Sequence, residues 1–451
     1  MLVSEAAAAR SRRLLFVAGS AHTLGGLASW LDYVLPGLAS RGWTPVLGLV
    51  EGARHHHPER LLAVHPQEKW IRIPCATGTP QGRRRALVRA LEEERPAVAL
   101  SVNIPDLFPA LHRARERGAA TRGLMTVHGV EPALYADAHR FRGVMDGAVA
   151  TNRLACRLLE AVGGIDPARV FYAAYGVEED GARSGRPVER SALRIGYAGR
   201  LDQPQKRVGD LPRIGDALER LGVRSEWMIA GGGPEEERLR RNLPARRATF
   251  LGTLSGPDLA GSFYARIDAL VVPSAWETGP LVAWEAMAAG VPVVASRYIG
   301  SGLEAALRDG ENALLFDVGD AEEAARQLAR LAAEPALAKR LVAGGRELVR
   351  RRYGRERSLE AWERAIEAVL ALPPLPAADT PGVPPATGRL ERCVGPGPAE
   401  AIRRALGRSG PDAGSGGEWP HAYGPGLERR EFFRRAAELD RGEVDSACSR
   451  P

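Results

Sequence analysis

The chain is 451 residues long and 45% hydrophobic, enough to core two or three domains. Its net charge of +7 invites a nucleic-acid partner, yet of 62 basic residues only Lys69, Lys206 and Lys339 are lysine, and the arginines alternate with glutamates along stretches such as 340–357, as on a solvated helix face. Nucleic acid is therefore not the expected partner. The four dispersed cysteines (Cys75, Cys156, Cys393 and Cys448) exclude a zinc site or redox pair and fit a reduced, cytoplasmic setting.

In chain order, Met1 to Arg13 lacks the pattern of a signal peptide, because Glu5 and Arg10 interrupt its alanines. Strand-like apolar runs follow at Leu14–Ala18, Pro45–Val50, Trp70–Ile73, Val98–Val102, Leu124–Val127, Ala148–Ala150 and Val170–Ala173. The triplet His55–His57 falls in a polar stretch where adjacent histidines cannot converge on one metal, so a solvated loop is expected. A polar break from Glu178 to Arg190 reads as an interdomain linker. Further runs occur at Leu193–Ala198, Trp227–Ala230, Thr249–Leu251, Ala269–Val272, Val291–Ala295 and Ala313–Phe316. Helical patterns lie between them at Glu235–Arg241, Pro257–Arg266, Pro280–Ala289 and Glu322–Ala333.

This alternation predicts an α/β fold of two doubly wound, Rossmann-like domains, residues 13–180 and 191–356, with the carboxyl ends of two parallel sheets at a cleft. Helical spacing of Leu359, Trp362, Ile366 and Val369 predicts a helix over 357–370 that packs back on the domains. From 371 to 451 the composition shifts, with eight prolines between Pro373 and Pro398. This Pro/Gly-rich extension reads as a low-complexity, disordered tail, within which Leu427–Arg441 forms one amphipathic helix through Phe432, Phe433, Ala436 and Leu439. No apolar run approaches the roughly 18 residues of a membrane span.

The stretch from Pro273 to Gly290 carries the most chemistry. A buried strand leads into Glu277, a helix opens at Gly279-Pro280, and Glu285 lies within it. Pro280 has no N–H, so the amides of Leu281 and Val282 lead a helix end that suits an anion such as phosphate. Two carboxylates touching that phosphate would repel it, so Glu277 and Glu285 are expected to accept from hydroxyls. Phosphate and hydroxyls together describe a nucleotide-sugar.

Gly25-Gly26 after the first strand would let backbone amides approach a second phosphate contact, though without the three-glycine spacing of a dinucleotide fingerprint. Glu51, ending the second strand, keeps open a reading as the ribose-binding acid of an NAD site. Arg200 and Lys206, after the first strand of the second half, put cations where a diphosphate leaving group needs them. Gly231–Pro234 is followed by three glutamates that repel a diphosphate, which leaves close backbone packing or contact with a neutral base. His128 ends a strand of the first half beside Gly129, where a structural and a functional role are both open.

Taken in order, Gly25-Gly26, Gly199-Arg200…Lys206, Gly231–Pro234, Phe250-Leu-Gly252, the Glu277…Glu285 element and Asp309–Phe316 resemble the retaining nucleotide-sugar glycosyltransferases of family four (glycosyl transferases group 1), which have the two-Rossmann B fold. The resemblance spans about residues 13–370, is sharpest in the second half and is absent from the tail. It implies that Arg200 and Lys206 hold the diphosphate, that Glu285 accepts from ribose, and that Glu277 binds hydroxyls of the transferred sugar. By the same token the amides near Gly25, Gly26, Gly279, Pro280 and Leu281 complete the phosphate cradle, and His128 lies near the reacting sugar. Catalysis would need no metal and no cofactor, the donor being a UDP- or GDP-linked sugar, and it would be a hexosyl transfer in glycan biosynthesis.

Two departures stand out: Gly279-Pro280 replaces an aromatic-glycine pair, and Tyr175-Gly-Val-Glu178 replaces an Asn-Gly-Val-Asp. The expected acceptor is a saccharide, a lipid-linked or a small molecule. Arg83, Arg84, Arg85, Arg89, Arg113, Arg115 and Arg117 make the first domain locally basic, which suits peripheral contact with an anionic membrane at the inner face. The alternatives are a sugar-nucleotide epimerase or phosphorylase on the same fold, or a catalytically silent nucleotide-sugar-binding module.

Overall fold

A computed structural model describes residues 12–21, 25–179, 192–243, 247–254, 256–376, 388–410, 417–424 and 426–442. The chain divides into two compact units. The first holds residues up to Thr151, Ala155–Ala173 and Leu359–Arg434, and the second holds Asn152–Leu154, Ala174–Ser358 and residues from Arg435.

The first unit is built on strands β1 (Arg13–Ala18), β2 (Thr44–Glu51), β3 (Trp70–Pro74), β4 (Val98–Val102), β5 (Arg122–Val127), β6 (Gly147–Ala150) and β7 (Val170–Tyr172). They pair in the order β3-β2-β1-β4-β5-β6-β7, parallel throughout. A parallel sheet is covered on both faces, which is why its strands read as unbroken apolar runs; Leu14, Leu15, Phe16 and Val17 are all fully buried. Helices α1 (Gly26–Ser40), α2 (Pro80–Glu94) and α3 (Leu107–Glu116) connect the first five strands.

The second unit repeats the plan with β8 (Leu193–Ala198), β9 (Ser225–Ala230), β10 (Ala248–Gly252), β11 (Ala269–Val272), β12 (Val293–Ser296) and β13 (Leu314–Phe316), in the order β10-β9-β8-β11-β12-β13. Every pairing is again parallel. Each sheet has a point where the strand order reverses, between β1 and β4 in one and between β8 and β11 in the other. Open α/β sheets bind ligands at the carboxyl ends beside such a point.

All thirteen predicted strands are present, but the domain limits differ. The long stretch of the second unit begins at Ala174, before the polar break, because Val177 joins its backbone: Val177 N–H donates to Tyr353 O at 2.8 Å and Arg355 N–H donates to Val177 O at 3.1 Å. Residues 180–191 of the expected linker lie outside the described residues. The predicted helix over 357–370 is α4 (Arg355–Ala371), and Trp362, Ile366 and Val369 are buried.

The expectation of a disordered tail is corrected where the tail is described. Segments 388–410, 417–424 and 426–442 carry helices Arg389–Val394, Pro396–Ala405 and α5 (Arg429–Asp440), and they bury Trp419, Glu418 and Glu400. The predicted amphipathic helix is α5, with Phe432, Ala436 and Leu439 buried as its spacing requires. The tail packs because its buried polar groups are paired: Glu418 accepts from His55 N–H at 3.1 Å, and Trp419 Nε1 donates to Glu51 O at 3.0 Å.

Candidate functional site

In the second unit the two loops that follow β8 and β11 flank the reversal point, and they carry the predicted residues. Lys206 and Glu277 are 71 positions apart in sequence, yet Lys206 Nζ donates to Glu277 Oε1 at 2.6 Å. Ser274 Oγ donates to the same oxygen at 2.7 Å, and among the described residues no bond engages Oε2. Glu277 is only 6% exposed, so its charge is held by these two donors. Ser274 was not singled out from the sequence, although its place three residues before Glu277 was a usable signal.

Arg200 stands at the exposed rim. Its Nη2 donates to Gln205 Oε1 at 2.7 Å and lies 3.1 Å from Asp202 Oδ2, while Tyr197 Oη donates to Arg200 O at 2.7 Å and pins the backbone. Gln205 is a second residue missed by the sequence reading. Its Nε2 donates to Trp276 O at 3.2 Å and its carbonyl accepts from Ala275 N–H at 2.8 Å, tying the Arg200 loop to the Glu277 loop. The Gly231–Pro234 loop packs under the same turn. A Cβ on Gly231 would lie 1.9 Å from Gly199 O, so close backbone packing is its role.

The expected helix start moves by one residue. The helix spans Leu281–Ala288 with Pro280 at the N-cap position, not the first helical position, and Pro280 O accepts from Ala283 N–H at 2.8 Å. Among the described residues neither Leu281 N–H nor Val282 N–H donates to protein, and no acidic residue occupies the first turn. That helix end keeps its leading amides and its partial positive charge uncompensated by described protein groups. Glu285, in the second turn, accepts from Tyr264 Oη at 2.7 Å, and its burial raises its pKa above the usual carboxylate range, with the tyrosine hydroxyl opposing. Tyr264 was a further omission, since the sequence pattern placed it in a helix that forms only as short irregular turns.

The remaining predicted residues belong to the first unit. Gly25 caps α1 with φ of +148°, a conformation open to glycine, and its carbonyl accepts from Ala28 and Ser29 N–H. The first turn of α1 has no acidic residue, so Gly26 leads an uncompensated helix end beside β1. Residues 22–24 of this loop lie outside the described residues. His128 follows β5 directly. Its ring lies 4.8 Å from that of Trp30 and 6.2 Å from that of Trp362, Nε2 sits 2.9 Å from Thr126 Oγ1, and burial drives its pKa down to about 3. It is a neutral imidazole at physiological pH.

Three expectations need correction. His56 is not solvated but fully buried, and its Nδ1 accepts from Ser20 N–H at 3.2 Å. Glu51 does not present a free carboxylate, because it pairs with Arg72. Arg83 is 1% exposed and bonded to Asp106 at 2.7 Å, and Arg115 is tied to Thr121 O and Val144 O, so these two serve the interior of the first unit and not a basic surface. Arg84, Arg85, Arg89, Arg113 and Arg117 do line a groove of about 590 Å³, together with Glu92 and Glu400. Among the described residues no cluster suits a metal ion, and no helix is long and apolar enough to cross a membrane.

Residues 192–334 match the family described as Glycosyl transferases group 1. The matched stretch lies within the second unit. The chain is 35% identical over 202 residues to a D-inositol 3-phosphate glycosyltransferase of Saccharomonospora viridis, covering 42% of this chain and 44% of the relative. It is 33% identical over 153 residues to the lipopolysaccharide core biosynthesis glycosyltransferase LpsE of Rhizobium meliloti, covering 33% of this chain and 43% of the relative. The chain thus spans about half the length of the curated relatives it matches. Among solved structures, Anabaena Alr3699/HepE in complex with UDP and glucose superposes with a TM-score of 0.64 at 16% identity, over 78% of this chain and 99% of that one. The chain has the glycosyltransferase B fold.

Proposed function

We propose that the chain transfers a sugar from a UDP- or GDP-linked donor to a hydroxyl of a saccharide, lipid-linked or small-molecule acceptor, with retention of configuration and without a metal. The observation that carries this reading is the part-buried Lys206–Glu277 pair together with the amides of Leu281 and Val282, which donate to no described protein group, at the reversal point of the second sheet. Cation, carboxylate and free helix end are the three partners that a sugar joined to a diphosphate requires.

In this reading Lys206 and Arg200 face the diphosphate, and Glu277 uses Oε2 to accept from a hydroxyl of the transferred sugar. The bond from the anomeric carbon to the diphosphate oxygen breaks as the acceptor oxygen bonds to that carbon on the same face. The acceptor proton passes to the departing diphosphate oxygen. Negative charge grows on that oxygen, and preorganised Lys206, Arg200 and helix amides stabilise it without reorganising. Neutral His128 serves as a hydrogen-bonding group and not as a cation. The two curated relatives described above are both glycosyltransferases, which supports transfer over the epimerase and phosphorylase alternatives.

A thermal-shift panel with UDP, GDP, ADP and NAD tests the reading. One nucleoside diphosphate at about 100 times its dissociation constant should stabilise the fold by about 2.7 kcal/mol. A shift with NAD alone would refute the transferase assignment, and the pairing of Glu51 with Arg72 already counts against that outcome.

A further inference from the structure

The position of the Glu277 backbone is set by the loop that follows β12. Glu277 N–H donates to Ile299 O at 3.1 Å, Ile299 N–H donates to Ala275 O at 3.0 Å, and Trp276 pairs with Ile299 as a parallel bridge. Gly300 packs so closely that a Cβ there would lie 2.1 Å from the Glu277 carbonyl oxygen. With φ of +107° at Gly300 and no room for a side chain, this contact has one geometry. Whatever holds residues 299–303 therefore holds Glu277.

What holds them comes from the C-terminal extension, 137 to 140 positions away. Asp440, the last residue of α5, belongs to the second unit and is 8% exposed. Its Oδ2 accepts from Gly300 N–H at 2.7 Å and from Gly302 N–H at 3.0 Å, and its Oδ1 accepts from Leu303 N–H at 2.9 Å. Asn152 Nδ2 completes the cradle by donating to Gly300 O at 2.9 Å. Three amides on one carboxylate make charge-assisted bonds, stronger than the neutral bonds a loop makes to itself. Among the described residues no lysine or arginine pairs with Asp440, so its charge is spent entirely on this loop.

We propose that Asp440 is a positioning residue of the sugar-binding site: by fixing Gly300, Gly302 and Leu303 it fixes the Glu277 carboxylate against the transferred sugar. The proposal rests on the glycosyl-transfer reading above. It makes the C-terminal extension a working part of the enzyme. The nucleoside diphosphate would be held by Arg200, Lys206 and the Leu281 helix end, none of which bonds to Asp440, so loss of the carboxylate should weaken the hold on the sugar and spare the hold on the nucleotide.

The test uses the full chain with Asp440→Asn, which keeps the side-chain size, and with Asn152→Ala, which strips the other anchor of Gly300. Hydrogen exchange at the amides of Gly300, Gly302, Leu303 and Glu277 should speed at least tenfold in Asp440→Asn and less in Asn152→Ala, with β8 and β9 unchanged. Calorimetry with UDP and with UDP-glucose should show the Kd of UDP-glucose relative to that of UDP rising at least fivefold, UDP itself being unaffected. Unchanged exchange at Glu277, or equal weakening of both ligands, would overturn the proposal and leave Asp440 a mere fold contact. A wild-type chain that binds neither UDP nor GDP would instead refute the transferase reading, and the exchange result would still decide whether Asp440 holds Glu277.

Discussion

His128 is expected to make the first unit acid-sensitive already between pH 6.5 and 5, above the range where ordinary carboxylates titrate. Its pKa is about 3 in the folded chain against an ordinary 6.5, because burial beside the packed pair Trp30 and Trp362 disfavours the charged ring. Between those two values the unfolded chain binds a proton that the folded chain refuses. The stabilising contribution of the neutral ring is therefore complete above pH 6.5 and is lost as pH falls toward 3. At pH 5 the gap to 6.5 is about 1.5 units, and at 1.36 kcal/mol per unit the loss is about 2 kcal/mol relative to neutral pH. Urea unfolding of wild type and His128→Phe at pH 7 and pH 5, followed by tryptophan fluorescence, reads this directly. Wild type should lose about 2 kcal/mol more than the variant on acidification, since every other titrating group is common to both. Equal acid sensitivity of the two proteins would show that His128 titrates normally, and the description of the ring as neutral and enclosed would be wrong.

Lys206→Ala and Arg200→Ala should each cut turnover at least tenfold, within the roughly 10²–10³ typical of a lost charge-stabilising donor, while both variants stay folded; normal turnover in both would sink the diphosphate assignment. Tyr264→Phe removes the one hydroxyl donated to the enclosed Glu285 carboxylate, and should lower stability by about 1–3 kcal/mol by urea titration at pH 7 while weakening nucleoside-diphosphate affinity. Cosedimentation with anionic vesicles should fall in Arg84→Gln/Arg89→Gln if the arginine groove meets a membrane, whereas equal sedimentation with neutral and anionic vesicles removes membrane contact from the account.

The parts of the molecule legible in the sequence are those whose physics is local. Parallel strands are apolar along their whole length, so runs such as Val98–Val102 and Ala269–Val272 announce themselves and coincide with β4 and β11. The Glu277 turn was legible for the same reason: a strand, a glycine of positive φ and a proline at a helix start leave few conformations. At Gly231–Pro234 the three glutamates argued against a diphosphate but left close backbone packing and contact with a neutral base open, and the fold shows the close packing. What sequence proximity hides is which functional group satisfies which. Lys206 reads as a cation for phosphate, and only the fold shows that it also neutralises Glu277, so that the two residues must be considered as one unit with Ser274.

The tail was misread for a physical reason that applies beyond this chain. Composition reports whether a segment can build its own core, and the extension after residue 371 cannot: its prolines and glycines suit no long helix or strand. It orders by joining cores that already exist. Trp419 is buried against the end of β2 and Phe432 against Tyr135, while Glu418 and Asp440 each satisfy backbone amides of a distant loop. A buried carboxylate looks like surface charge until its amide donors are seen, because a backbone N–H is present at almost every position and marks none. The two acidic residues that anchor the extension thus carry no sequence signature. Their contacts fall on loops at the carboxyl ends of strands, the edge where this fold keeps its ligands, so an extension in which periodicity marks only α5 reaches the residues that periodicity finds most easily.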